Sequence, residues 1–196
     1  MKQRTARVAR RTSETQITVR VDLDGTGAYE VDTCLPFLDH MLELLSRHSL
    51  IDINLKAKGD LEVDYHHTVE DIGIALGQAL DKALGERKGI VRYGWICVPM
   101  DEALSRVTVD LGGRPFLVRH TACRKRKILD FDLGLFEEFF RAFTVHARMN
   151  LHISQEYGQE AHHAYESIFK ALARALRQAC AVDERESGPP SSKGCI

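Results

Sequence analysis

The sequence predicts an α+β fold written twice, each copy a sheet covered on one face by helices. Three observations predict it. The chain has 196 residues, 44% of them hydrophobic, enough for one domain or two small fused halves. Apolar positions alternate between a period of two and a period near 3.6. And the chain repeats itself: residues 66–80 (HHTVEDIGIALGQAL) match 162–176 (HHAYESIFKALARAL) at both histidines, the glutamate, Ile72/Ile168, Ala75/Ala171, Leu76/Leu172, Ala79/Ala175 and Leu80/Leu176.

The repeat extends beyond that motif. Asn54-Leu55 matches Asn150-Leu151, and Val19, Val21, Asp22, Leu23 and Gly25 match Val107, Val109, Asp110, Leu111 and Gly113. Glu14 falls opposite Glu102 in the same alignment. The expected organisation is a basic arm over 1–13, a first half with its connecting strand over 14–101, a second half over 102–182 and a tail over 183–196.

Each element has a local cause. Lys2, Arg4, Arg7, Arg10 and Arg11 make the start basic, without the apolar core of a secretory signal, and read as a solvated arm. Ile17, Val19, Val21 and Leu23 alternate as a strand, ended by the turn pair Asp24-Gly25. Pro36 opens a helix carrying Leu38, Met41, Leu42 and Leu45 on one face. Ile51, Ile53 and Leu55 mark a short strand. The HHxxE helix buries Ile72, Leu76, Ala79, Leu80 and Leu84 and stops near Gly85 and Gly89. Arg92 to Met100 is a further strand, after which the order repeats. Two copies imply two similar sheets with their helices packed together.

Composition excludes several classes. With 27 basic and 28 acidic residues the formal net charge is -1, against a general nucleic-acid binder. The five cysteines, Cys34, Cys97, Cys123, Cys180 and Cys195, contain no CxxC pair and suggest free thiols in a reducing compartment. No apolar run approaches the roughly 18 residues of a membrane span. A cytoplasmic protein without nucleic-acid or membrane partners is expected. The run Arg124-Lys125-Arg126-Lys127 reads as a solvated loop or an intersubunit contact.

The polar residues kept in both copies point to metal. His66 and Glu70 are i and i+4, His67 and Glu70 i and i+3, so either pair can share a helix face. The adjacent histidines diverge by about 100° around the helix, so they serve different centres. His162, His163 and Glu166 then supply complementary ligands, and the symmetry predicts two sites, each assembled from both halves, within one chain or across subunits. A single HHxxE is commonly a solvated surface feature; its duplication with its helix favours a ligand role. Imidazole with carboxylate suits Mn, Fe, Zn, Co or Ni, and spacing does not choose among them.

Read together, the motifs LDGTG, LPFLDHM, DYHHTVED, PMDEAL, GGRP, HHAYESIFKA and PSSKG make the chain similar to the imidazoleglycerol-phosphate dehydratase family over nearly its whole length. The resemblance implies halves with four-stranded sheets, and a homo-oligomer of about 24 subunits with manganese at subunit boundaries. It implies two Mn²⁺ per subunit, one held by His40, His67, His162 and Glu166, the other by His66, Glu70, His163 and residue 138. It implies substrate contacts at Glu14, His40 through His48, His66, Glu70, Arg92, Arg114, Lys170, Ser192 and Lys193, the last two on a closing tail.

The chain departs from the family at Glu138, where many relatives carry histidine. Glu138 is the repeat partner of His40 and is expected to coordinate, directly or through water; His146 and His152 are the competing candidates, with His152 read as structural. Glu160 replaces a usual asparagine, with no consequence assigned.

The implied reaction removes water from D-erythro-imidazole glycerol phosphate to give imidazole acetol phosphate, a step of L-histidine biosynthesis. No carbonyl acidifies the departing carbon-bound proton, so the imidazole must supply the electron push. Glu14 is the first candidate for proton transfer, with Glu70 and Glu166 able to double as ligand and base. Two rivals remain open: a metal-storage shell, against which the cations Arg92, Arg114 and Lys170 speak, and a di-metal hydrolase, which a metal separation of about 3.5–4 Å would favour.

Overall fold

The computed structural model describes residues 3–194; Met1, Lys2, Cys195 and Ile196, the outer ends of the expected arm and tail, lie outside the described residues. The first copy runs β1 (Thr5–Arg11), β2 (Thr15–Asp22), β3 (Tyr29–Asp32), α1 (Pro36–Ser49), β4 (Asp52–Gly59) and α2 (His66–Leu84). The second runs β5 (Tyr93–Met100), β6 (Ala103–Asp110), β7 (Phe116–Thr121), a small hairpin of β8 (Lys127–Ile128) and β9 (Phe131–Asp132), α3 (Leu135–His146), β10 (Asn150–Tyr157) and α4 (Ala161–Cys180).

Two four-stranded sheets result, ordered β1-β2-β4-β3 and β5-β6-β10-β7. Register repeats with them: Thr5 pairs with Asp22 and Tyr93 with Asp110. In each sheet one pair is parallel, β3 with β4 and β7 with β10, and a helix makes the crossover such pairing needs. The α+β duplication expected from the sequence is therefore the fold.

Two boundaries are corrected. Residues 5–11, expected as a solvated arm, are an edge strand: Val8 is buried, Ala6 and Arg10 are half-buried beside it, and Arg7 and Arg11 face outward. Charges on an outer edge discourage further strand pairing, and here they mask the alternation. Residues 93–100, expected to belong with the first half, pair with β6 and open the second sheet. The strand β3 was missed because it is short and mostly exposed.

The helices lie between the sheets and exchange partners across the repeat: α1 packs on α4, and α2 on α3. The α2–α3 contact is close because Gly73 and Gly77 carry no side chain; a Cβ there would sit 2.7 Å from the Phe139 carbonyl oxygen and 2.8 Å from that of Phe143. At the end of α2, Arg87 is buried and left-handed (φ 54°). It donates to the carbonyls of Leu111 (2.8 Å), Ala147 (2.8 Å) and Arg148 (2.9 Å), tying the first copy to the second, and pairs with Asp81. Among the described residues, no helix is long and apolar enough to cross a membrane.

Candidate metal centre and anion cradle

The α1–α4 contact brings His40, His162 and Glu166 together, one ligand atom of each lying within 4.8 Å of the others. His162 Nε2 is 3.1 Å and His40 Nε2 3.6 Å from the same Glu166 oxygen. Local chemistry fixes both helix starts. Thr33 donates through its N–H and hydroxyl to Asp39 at 2.8 and 2.6 Å, anchoring the residue beside His40. Glu160 caps α4 by accepting from the His162 N–H and also holds Lys125 at 2.6 Å, so this position, unassigned in the sequence, sets the helix that bears His162. Burial raises the Glu166 carboxyl, but Lys170 at 2.5 Å and His40 outweigh it and hold the group below its ordinary range.

The repeat-related set lies on α2 and α3. His66 Nε2 is 3.6 Å from Glu70. Glu138 lines the same cavity of about 550 Å³ as His66, with Asp64, Asp130 and Asp132, and its carboxylate meets Arg141 at 3.1 Å. Of the competing candidates, His146 ends α3, where burial first and then Arg10 lower its pKa against the opposing charge of Glu70, and His152 is exposed on β10.

Adjacent histidines hold separate rings, with centroids 6.1 Å apart for His66/His67 and 6.2 Å for His162/His163 and their planes nearly perpendicular. His67 turns its Nδ1 to Asp60 (3.0 Å), with Glu14 3.9 Å away. His163 turns its Nδ1 to Glu102 (2.7 Å), the repeat mate of Glu14. Both imidazoles are raised above their ordinary pKa, His67 chiefly by the Asp60 hydrogen bond and His163 chiefly by that of Glu102. Within one chain His67 stands apart from the His40 cluster. Asp60 was missed in the sequence, where only its closeness to the HHxxE motif marked it.

A cavity of about 880 Å³ collects Arg92, Arg114, Arg148, Ser192 and Lys193. Arg92 grips Asp110 at 2.7 and 3.1 Å and donates to the Pro190 carbonyl at 2.7 Å, which draws the tail over the cavity. Arg148 was not anticipated; it takes the left-handed conformation (φ 51°), as Leu50 does in the first copy (φ 62°). Lys170 is not here. Its Nζ lies against Glu166 and, at 3.4 Å, Met100 Sδ, at the far end of β5 from Arg92. His48, in the last turn of α1, faces Lys170 and Arg174; burial first, then these cations, lower its pKa.

Residues 33–176 match the sequence model of a family described as imidazoleglycerol-phosphate dehydratase. A protein of that name from Methylorubrum populi is 56% identical over 194 residues, covering 98% of this chain and all of the relative. One from Pseudomonas aeruginosa is 54% identical over 197 residues, covering both chains in full. The Staphylococcus aureus dehydratase structure superposes with a TM-score of 0.83 at 40% identity, covering 91% of this chain and 99% of that one. The Pyrococcus furiosus structure, solved in complex with (S)-C348, gives 0.81 at 34% identity, covering 96% and 100%.

Proposed function

The chain belongs to the imidazoleglycerol-phosphate dehydratase family, and we propose that it is a metal-dependent carbon–oxygen lyase acting on imidazole glycerol phosphate in the cytoplasm. The cytoplasmic reading is supported by free thiols at Cys34, Cys97, Cys123 and Cys180.

The observation that carries metal dependence is the His40–His162–Glu166 cluster. Donors sharing one ion at about 2.0–2.2 Å stand roughly 3–4.4 Å apart. The separations of 3.1 and 3.6 Å to Glu166 fit that requirement. His40, His162 and Glu166 would hold one manganese with His67 as the fourth ligand; His66, Glu70 and Glu138 would hold the second with His163. The ion polarises bound nitrogen and oxygen groups and so makes a ring proton easier to lose and a hydroxyl easier to expel.

The protein's own residues do the rest. Arg92, Arg114, Arg148 and Lys193 present cations to the phosphate, with Ser192 adding a hydroxyl donor. Lys170 neutralises Glu166 and keeps that carboxylate ionised. Glu14 is exposed enough to exchange protons and lies near His67, so it is the best-placed group to take the carbon-bound proton. Glu166, engaged by two histidines and a lysine, acts as a ligand; Glu70 keeps both possibilities.

One chain does not complete the site. Cradle and cluster sit at opposite ends of β5, about 23 Å apart at roughly 3.3 Å per residue. The substrate, with bonds near 1.5 Å, spans only about 10 Å. A site joining cradle to cluster must draw on a second copy, which supports a homo-oligomer; the size of about 24 subunits comes from the family resemblance alone. Turnover of imidazole glycerol phosphate by chelator-stripped protein, with and without Mn²⁺, tests the function. The ketone product should form only with metal; equal turnover without it would remove metal from the reaction.

A further inference from the structure

The two ligand sets named above are repeat mates, yet they do not hold the same atoms, and among the described residues only the α1–α4 set has its donors within 4.8 Å of one another. His162 and Glu166 recur as His66 and Glu70, but His40 on α1 recurs as Glu138 on α3. The first set offers two imidazoles and one carboxylate. The second offers one imidazole and two carboxylates. A histidine added to each from another copy leaves that difference intact.

The surroundings differ in the same direction. Glu166 has Lys170 against it at 2.5 Å. The repeat mate of Lys170 is Ile74, so Glu70 has no corresponding ammonium. The cavity of Glu138 and His66 is lined by Asp64, Asp130 and Asp132, with Lys127 as the one lysine or arginine among its described lining residues. The Glu138–Arg141 contact is a surface i,i+3 pair, of the kind water and a divalent ion displace readily.

We propose that the two centres are chemically unequal: the α1–α4 centre is nitrogen-rich and yields its manganese readily to borderline ions such as Zn²⁺ or Co²⁺, whereas the α2–α3 centre, with Glu138, is oxygen-rich and gives it up only at higher concentrations of them. Borderline ions gain more from imidazole, hard ions from carboxylate oxygen, so each exchange of histidine for glutamate narrows the advantage of zinc over manganese. The inference rests on the metal-dependent reading above and ranks how readily each site exchanges its ion.

A competition experiment on the assembled, full-length protein tests it. The protein is stripped, loaded with Mn²⁺ and titrated with Zn²⁺, with free manganese followed by electron paramagnetic resonance and bound metals by mass spectrometry. Half of the manganese should leave at low zinc and the other half only at clearly higher zinc, in two resolved steps. Glu138→His should merge the two steps into one. Glu138→Gln, close in shape, should lose the zinc-resistant half, which keeps the test alive if the histidine variant fails to assemble. Release in one step from wild type, or a wild type that binds one ion per chain, overturns the proposal and leaves the dehydratase reading standing. A folded assembly that binds no manganese overturns both.

Discussion

If substrate bridges a cradle on one copy and a metal cluster on another, an impaired variant and an inactive one should rescue each other. The perturbations are Arg114→Ala, at the cradle, and His162→Ala, at the cluster. Arg114→Ala removes charge-assisted bonds to phosphate worth about 1.5–3 kcal/mol, or roughly 10- to 150-fold in kcal-equivalent kcat/KM. His162→Ala removes one of three clustered donors and should abolish turnover. Each variant is purified, the two are dissociated and reassembled in equal amounts, and mixed assemblies are identified by native mass spectrometry. A site needs an intact cluster from one copy and an intact cradle from another, so random mixing restores about one quarter of wild-type sites. A mixture of either variant with the double variant should stay inactive and serves as the control. Mixed assemblies with no recovery would refute the separation of roughly 23 Å along β5 as the reason for sharing.

Four further outcomes are expected. Gly77→Ala should destabilise the fold by about 1–3 kcal/mol in chemical denaturation, because its Cβ would meet the Phe143 carbonyl and overpacking outweighs the helix-propensity gain of about 0.5–1 kcal/mol. Glu166→Gln should weaken manganese at the α1–α4 centre beyond the roughly 10–100-fold typical of a lost supporting contact, read by equilibrium dialysis. Manganese affinity should rise with pH through the raised range of His67 and His163, since each must lose a proton to bind, and calorimetry in buffers of different ionisation enthalpy should detect proton release. The metal-free protein has the opposite sign: those histidine–carboxylate pairs stabilise it below the ordinary imidazole value and the benefit fades as pH rises through the raised one. Arg87→Met should cost about 3–5 kcal/mol by leaving three carbonyls and Asp81 without their buried partner, measured as a lowered urea midpoint.

Duplication made the fold readable, because each element was seen twice and the aligned polar residues stood out against an apolar background. Helical spacing and the repeat singled out His162 and Glu166, whereas His40 was joined to them only by the family resemblance; the α1–α4 contact brings the three together. The edge strand β1 was hidden because its outward arginines overwhelm the pattern that Ala6 and Val8 carry. Asp60 and Arg148 were hidden for another reason. Their importance comes from what the chain brings beside them, a ring nitrogen of His67 and the Arg92 cavity, and contacts across distant elements leave no local period. Lys170, a substrate contact by the family resemblance, lies four residues after Glu166, and that spacing on α4 already places it beside the ligand, where its Nζ is found.

The two copies differ most where their helices meet. On α3, Phe136, Phe139, Phe140 and Phe143 stand where α1 has Leu38, Met41, Leu42 and Leu45, and all eight are buried. The rings of Phe136, Phe139 and Phe140 pack on Phe169 of α4. On α2, Gly73 and Gly77 stand where α4 has Phe169 and Ala173, and a Cβ at either would meet the α3 backbone. The glycines therefore let the α2 backbone close onto that of α3, where His66 and Glu138 line one cavity. Glutamate stands at 138 where the first copy has His40, and isoleucine at 74 where the second has Lys170, so the helix pairs repeat while their polar ends differ. That difference in donors on a repeated scaffold is the ground for the proposed inequality between the two centres.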